Sequence, residues 1–187
     1  MKLIANIQSQ ACEQFYRYCQ TKLVPMMQLD VSRYAPNRYR LWLIQEPHLG
    51  RQPKLKKAYN DPYLNQVIQW LYSGCNTALI SYHGQIENVN SDARINHHRD
   101  TSFASNIARM INLGNISHFS YSFCRRNNNL DACTTFLLNP GDLIEFDCKH
   151  IHACTYAAPG RMSLVMWQLK PNYSRLIADK QSCQNPN

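Results

Sequence analysis

The sequence predicts an α+β protein, a double-sheet jelly-roll core with N-terminal helices packed on one side. Three observations carry that prediction. From residue 76 to residue 170, short apolar runs follow one another between polar turns at the fairly regular spacing of an antiparallel β-fold. Before residue 75 the texture is different, and one segment has a clear helical period. Asn139-Pro140-Gly141-Asp142 is a strong turn signal between two of the runs.

Each element has a local reason. Residues 7 to 22 read as a helix, with Ile7, Ala11, Phe15 and Cys19 spaced four apart. RYRLWLIQE (38–46) alternates as a strand, with Tyr39, Leu41 and Leu43 on one side and Trp42 and Ile44 on the other. A second helix starts at Asn60 or Asp61 as cap, takes Pro62 in its first turn, and carries the stripe Leu64, Val67, Ile68 and Leu71 up to Ser73-Gly74. Eight strands follow: TALISY, ARINHHRD, IARMINLG, HFSYSF, CTTFLL, DLIEF, IHACTY and RMSLVMWQL. The polar stretch from Pro171 is expected as a loose tail. The 187 residues read as a single domain, with a helical, basic, lid-like front (1–75), a β-rich core (76–170) and the tail (171–187).

A hydrophobic fraction of 44% beside 17% charged residues excludes a disordered chain. No stretch approaches the ~18 apolar residues of a membrane span, and MKLIANIQSQ is too short for a signal-peptide core. A cytoplasmic protein without a membrane partner is expected. The eight cysteines contain no C-x-x-C pair, so they read as reduced thiols rather than as staples or zinc ligands. The formal net charge of +8 points to polyanionic partners. Arg33, Arg38, Arg40, Arg51, Lys54, Lys56 and Lys57 stand against the single acid Glu46, with Tyr34, Tyr39, Trp42 and Tyr59 among them. Such a segment can meet phosphates with its cations and unpaired bases with its rings; equally, it can be a solvated loop over a half-buried strand.

One ordered set of residues carries chemistry. In a strand, positions i and i+2 share a face, so His98 and Asp100 point together while His97 and Arg99 point away. His152 adds a second imidazole and is favoured over His150, which shares its face but sits with Lys149 at the strand entrance. Two histidines and a carboxylate can hold a divalent iron with three positions left open. Arg161, nine residues on, supplies a planar positive fork suited to a carboxylate.

Residues 76 to 170 resemble the iron(II)- and 2-oxoglutarate-dependent oxygenase superfamily, whose double-stranded β-helix carries H-x-D…H…R. NHHRD is similar to its first iron motif, and LNPGDLIEFDCKHIHACTYAAPGRMSLVMWQL to its second half. The resemblance implies Fe(II) on His98, Asp100 and His152, and the distal carboxylate of 2-oxoglutarate on Arg161 with a hydroxyl from Ser163. It implies O2 as oxidant, with succinate and carbon dioxide as products beside an oxidised C–H bond. NVNSDARINHHRD followed by MINLG and HFSYSF is most similar to the AlkB-like branch, which acts on alkylated bases, so nucleic acid is the expected partner. The chain departs from that branch at Asn90, where a tyrosine stands for the cosubstrate, and at Trp167, where a second arginine stands. Tyr82 is the candidate for the missing tyrosine's hydrogen bond, and Asn96 for contact with cosubstrate or substrate. Arg99, Trp167, Lys54, Lys56 and Lys57 are the candidates on the substrate side. The nine-residue step to Arg161 is closer to the prolyl-hydroxylase branch, and HRD is similar to the TET/JBP group. A protein side chain or small metabolite as substrate, or a non-catalytic metal-binding β-helix, are the other functions considered.

Overall fold

The computed structural model describes residues 1–30, 32, 34–35, 38–48, 52–83, 94–125 and 129–184. Arg33, Arg51, Asn90 and Arg126 therefore lie outside the described residues. The chain begins with strand β1 (Lys2–Asn6) and helix α1 (Ser9–Tyr18), which runs into a π-helical turn at Cys19–Leu23 and a 3-10 turn at Val24–Met26. Strands β2 (Gln28–Leu29), β3 (Tyr39–Leu43), β4 (Gln45–His48) and β5 (Lys54–Lys57) follow, then helix α2 (Pro62–Leu71). The main β-series is β6 (Thr77–His83), β7 (Ile95–His98), β8 (Ala104–Leu113), β9 (Ser117–Ser122), β10 (Cys133–Leu138), β11 (Asp142–Asp147), β12 (His152–Ala157) and β13 (Arg161–Leu169). Helix α3 (Pro171–Gln184) closes the chain.

The strands form a seven-stranded sheet in the order β1-β11-β8-β13-β6-β3-β2, a four-stranded sheet in the order β10-β9-β12-β7, and a small β4-β5 hairpin. Two cores result, one on each face of the large sheet. Met162, Leu164 and Met166 of β13 meet Phe15 of α1 and Leu64, Ile68 and Leu71 of α2 on the outer face. Phe119 and Tyr121 of the small sheet meet Met110, Phe146 and Trp167 on the inner face. A jelly roll with helices on one side is thus what forms, because the period of two on β13 divides its apolar residues between the two cores.

The second helix forms as its sequence dictates. Asp61 Oδ1 accepts the Leu64 amide at 3.0 Å, Pro62 opens the first turn, and Leu64, Ile68 and Leu71 are buried. The first helix buries Cys12, Phe15, Cys19 and Leu23. Ala11 is exposed, because the face that meets the sheet is turned one residue from the four-spaced stripe. RYRLWLIQE is not one strand. Ile44 adopts φ +67°, a left-handed conformation costly for a β-branched residue, and divides it into β3 and β4, which sends Ile44 to the helix-side core. The front segment also supplies β1, β2 and β3 to the large sheet, so it is not only a helical extension. The stretch from Pro171, expected as a loose tail, is helical, with Tyr173 buried and its hydroxyl donating to the His48 carbonyl at 3.0 Å.

Every cysteine among the residues whose side chains are described is a free thiol. No helix of the described residues is long and apolar enough to cross a membrane.

Candidate active site

β7 and β12 pair antiparallel with His98 directly opposite His152, which brings the two rings to 4.4 Å between centroids. Asp100 lies two residues past the end of β7, where its own amide donates to the Cys148 carbonyl at 2.9 Å. Its Oδ1 is 3.6 Å from His98 Nε2, and its Oδ2 is 3.6 Å from His152 Nε2. The three ligand atoms all lie within 4.8 Å of one another.

The tautomers suit a metal. His98 Nδ1 is 2.8 Å from the Asn96 carbonyl oxygen and His152 Nδ1 is 2.9 Å from that of His150. A carbonyl can only accept, so each Nδ1 carries the hydrogen and each Nε2 presents a lone pair toward the centre. Burial, reinforced by His152, pushes His98 down to about 4. Burial works in the opposite direction on Asp100, but His152, His98 and the Trp167 N–H outweigh it and hold the carboxyl at about 2. A neutral imidazole beside an ionised carboxylate at neutral pH fits the iron-binding triad.

His150 is committed elsewhere. It stands in the turn before β12, not on the strand, with Nδ1 2.8 Å from the Ser122 carbonyl and its ring stacked on Tyr121. His97, which also lines the cavity, pairs its Nε2 with Ser120 Oγ at 3.2 Å and stands outside the triad.

Arg161 is 1% exposed at the start of β13, on the inner face with Ser163. Nε donates to Asn112 Oδ1 at 2.8 Å, while the two terminal nitrogens reach only His83 Nδ1 at 3.5 Å and Met110 Sδ at 3.7 Å. Among the described residues the guanidinium has no carboxylate partner. Among the described residues, Ser163 Oγ, Ser81 Oγ and His83 Nε2 are buried near it without a hydrogen-bond partner. The cross-strand pairs Arg161 with His83 and Ser163 with Ser81 account for the cluster. Burial followed by the charge of Arg161 keeps His83 well below the ordinary histidine range, so its ring is neutral. A buried cation ringed by unsatisfied polar atoms is costly unless an anion from outside completes it. The carboxylate end of a keto acid fits that requirement.

His98, Asp100, His152, Arg161 and Ser163 line one cavity of about 750 Å³ between the sheets. Trp42, Phe103 and Trp167 make an aromatic wall, with Trp42 and Trp167 each edge-on to Phe103. Arg38, Arg40, Arg99 and Asp30 also line the cavity. Arg38 and Arg40 both bond the buried Asp30 carboxylate, which fixes them as a pair. From the sequence these two arginines were only part of a basic run; the signal that could have singled them out is the nearby Asp30.

Other candidates fall differently. Tyr82 pairs opposite Met162 and therefore faces the helix-side core, so its neighbours Ser81 and His83 are the β6 residues beside Arg161. Asn96 does not share a face with His98. His152 and Cys154 oppose His98 and Ile95, so β7 carries a bulge that breaks the alternation and leaves the Asn96 side chain exposed. Its backbone carbonyl, not its amide group, serves the site. Trp167 turns its Nε1 to Asp100 Oδ2 at 3.0 Å. Arg99 lines the cavity, with Nη2 3.4 Å from the Arg125 carbonyl. Lys54, Lys56 and Lys57 stand exposed on the β4-β5 hairpin and do not line the cavity.

No protein-family model matches the chain, and no curated protein sequence matches it. Solved structures do resemble its fold. The structure of OsALKBH1 aligns with a TM-score of 0.64 at 13% identity, covering 89% of this chain and 95% of that one. A prolyl-4-hydroxylase from Pseudomonas putida aligns with a TM-score of 0.56 at 13% identity, covering 90% and 91%. An oxidoreductase of the 2OG-Fe(II) oxygenase family from Burkholderia pseudomallei aligns with a TM-score of 0.53 at 15% identity, covering 89% and 94%. The class defined by the architecture is therefore the double-stranded β-helix fold seen in 2OG-Fe(II) oxygenase structures. At these identities the likeness is one of fold; the chemistry has to come from the site.

Proposed function

We propose that the chain is an Fe(II)/2-oxoglutarate-dependent dioxygenase that oxidises a nucleic acid base by hydroxylation or oxidative demethylation. One observation carries the reaction class: a His98, Asp100 and His152 donor set shares a cavity with a buried arginine that has no carboxylate partner among the described residues. In this reading His98, Asp100 and His152 hold the iron, while Arg161 and the Ser163 hydroxyl hold the distal carboxylate of the keto acid. When bound, iron(II), 2-oxoglutarate and O2 supply a two-electron oxidation of a C–H bond, with succinate and carbon dioxide as co-products. The protein contributes placement and electrostatics. The two backbone carbonyls aim the imidazoles, the buried guanidinium orients the keto acid, and the aromatic wall keeps water from that side of the cavity.

Three features support a base as substrate. They are the AlkB-like motif set, the likeness in fold to OsALKBH1, and the arginines lining the cavity of a chain with net charge +8. An extruded base can enter beside Arg99, while Lys54, Lys56 and Lys57 contact the phosphates. The free thiols are consistent with work in the reducing cytoplasm. A protein side chain or small metabolite is the second reading, favoured by the likeness in fold to a prolyl-4-hydroxylase.

The test is succinate production from 2-oxoglutarate by protein supplied with iron(II) and ascorbate, in the presence of base-methylated oligonucleotides or peptides. Oligonucleotide-dependent succinate that disappears in His98→Ala is the expected result. Turnover coupled only to peptides or metabolites selects the second reading, and no succinate with any substrate ends the oxygenase proposal.

A further inference from the structure

We infer that Trp167 is a positioning residue for the metal's carboxylate: its indole N–H holds Asp100 Oδ2 and leaves Oδ1 as the metal ligand. The inference rests on the metal-binding reading of His98, Asp100 and His152 and deepens it.

The placement follows from β13. Arg161, Ser163, Val165 and Trp167 share the cavity face of that strand by its period of two, so the strand that carries the keto-acid arginine at one end carries Trp167 at the other. Trp167 is 4% exposed, and its ring lies edge-on to Phe103 at 5.3 Å and tilted against Trp42 at 6.0 Å. That packing fixes the direction of the N–H. Nε1 meets Asp100 Oδ2 at 3.0 Å, an ordinary hydrogen-bond length.

An indole nitrogen is a donor only and does not titrate in the working range. It therefore occupies one lone pair of Oδ2 permanently, and it does so without bringing a positive charge to the carboxylate. Asp100 keeps its full charge for the metal, yet one of its oxygens is tied. An aspartate that chelated through both oxygens would consume a position that the keto acid and dioxygen need. Holding Oδ2 keeps the carboxylate single-toothed and fixes its rotation about the side-chain bond.

The probe is Co(II), whose visible absorption reports both affinity and coordination number. Trp167→Phe keeps an aromatic ring between Phe103 and Trp42 while removing the N–H donor together with part of the ring volume. It is expected to weaken Co(II) binding by about 10–100-fold and to shift the spectrum toward higher coordination, with a far-ultraviolet circular dichroism spectrum like that of the parent. An unchanged affinity and spectrum overturn the role. If that variant does not fold, the parent protein decides by NMR in the Zn(II)-loaded state. A Trp167 indole N–H that is slow to exchange with deuterium and that changes shift on metal loading supports the inference. One that exchanges as fast as the exposed Trp70 overturns it. Parent protein that binds no Co(II) ends the metal reading, and the role of Trp167 with it; parent binding with an unaffected Trp167→Phe removes the role alone.

Discussion

Arg161 spends a full positive charge in the interior without an anion to meet it, and that makes it testable apart from turnover. A buried charge with no carboxylate partner carries an uncompensated desolvation cost, which an apolar side chain of similar length removes. Arg161→Met should accordingly melt no lower than the parent in the absence of ligand. Asn112 Oδ1, which loses the Arg161 bond, still accepts from Ser117 Oγ at 2.9 Å. The parent in Mn(II) should gain about 2.7 kcal/mol from 2-oxoglutarate at a hundredfold excess over Kd, and the variant should gain nothing. Thermal melts with and without the keto acid read both effects, and a variant still stabilised by 2-oxoglutarate would sink the assignment of Arg161. At this scale the sequence was legible where chemistry is carried by residue type and short spacing, as for His98, Asp100 and Arg161. It was not legible for Ser81, His83 or the Trp167 bond to Asp100, because each depends on a partner from another strand.

Elements position these side chains through their ends and irregularities. Helix α1 seats against the turns beside Arg161: Tyr16 donates its hydroxyl to the Gly160 carbonyl at 2.8 Å. Gly114, at φ +74°, leaves room for that ring, since a Cβ there would fall 2.3 Å from Tyr16 and 2.7 Å from the Gly160 carbonyl. Gly114→Ala should lower the urea midpoint by the equivalent of about 1–3 kcal/mol. Asp61→Ala should cost about 1 kcal/mol by removing the α2 cap, measured the same way; a midpoint equal to the parent's in either variant contradicts the assigned geometry. The second helix was readable because cap, proline and stripe are all local. The β7 bulge and the Ile44 break were not, since both arise from how a strand must match its neighbour. That mismatch is why Asn96 contributes a carbonyl instead of a side chain, and why Ile44 changes faces.

For the whole molecule, charge and cavity separate into two regions. Arg38 and Arg40, fixed on Asp30, line the cavity, whereas Lys54, Lys56 and Lys57 stand on an exposed hairpin outside it. If that hairpin contacts phosphates, changing all three lysines to glutamate should weaken polynucleotide binding and flatten the plot of log affinity against log salt. Each lost phosphate contact removes about 0.9 from the slope on duplex DNA. Filter binding across a salt series measures it, and an unchanged slope removes the hairpin from the interface. The sequence by itself determined helix α2, the eight strands from residue 76 onward and with them the jelly-roll class, the His98, Asp100 and His152 set, and the basic character. Those features depend on alternation, turn chemistry and spacing within a few residues. Tertiary structure alone decided which face of β6 serves Arg161, that His150 sits in a turn, that Trp167 bonds Asp100, and that Arg38 and Arg40 close on Asp30. Register and burial are set by contacts between residues far apart in the chain, and no local pattern encodes them.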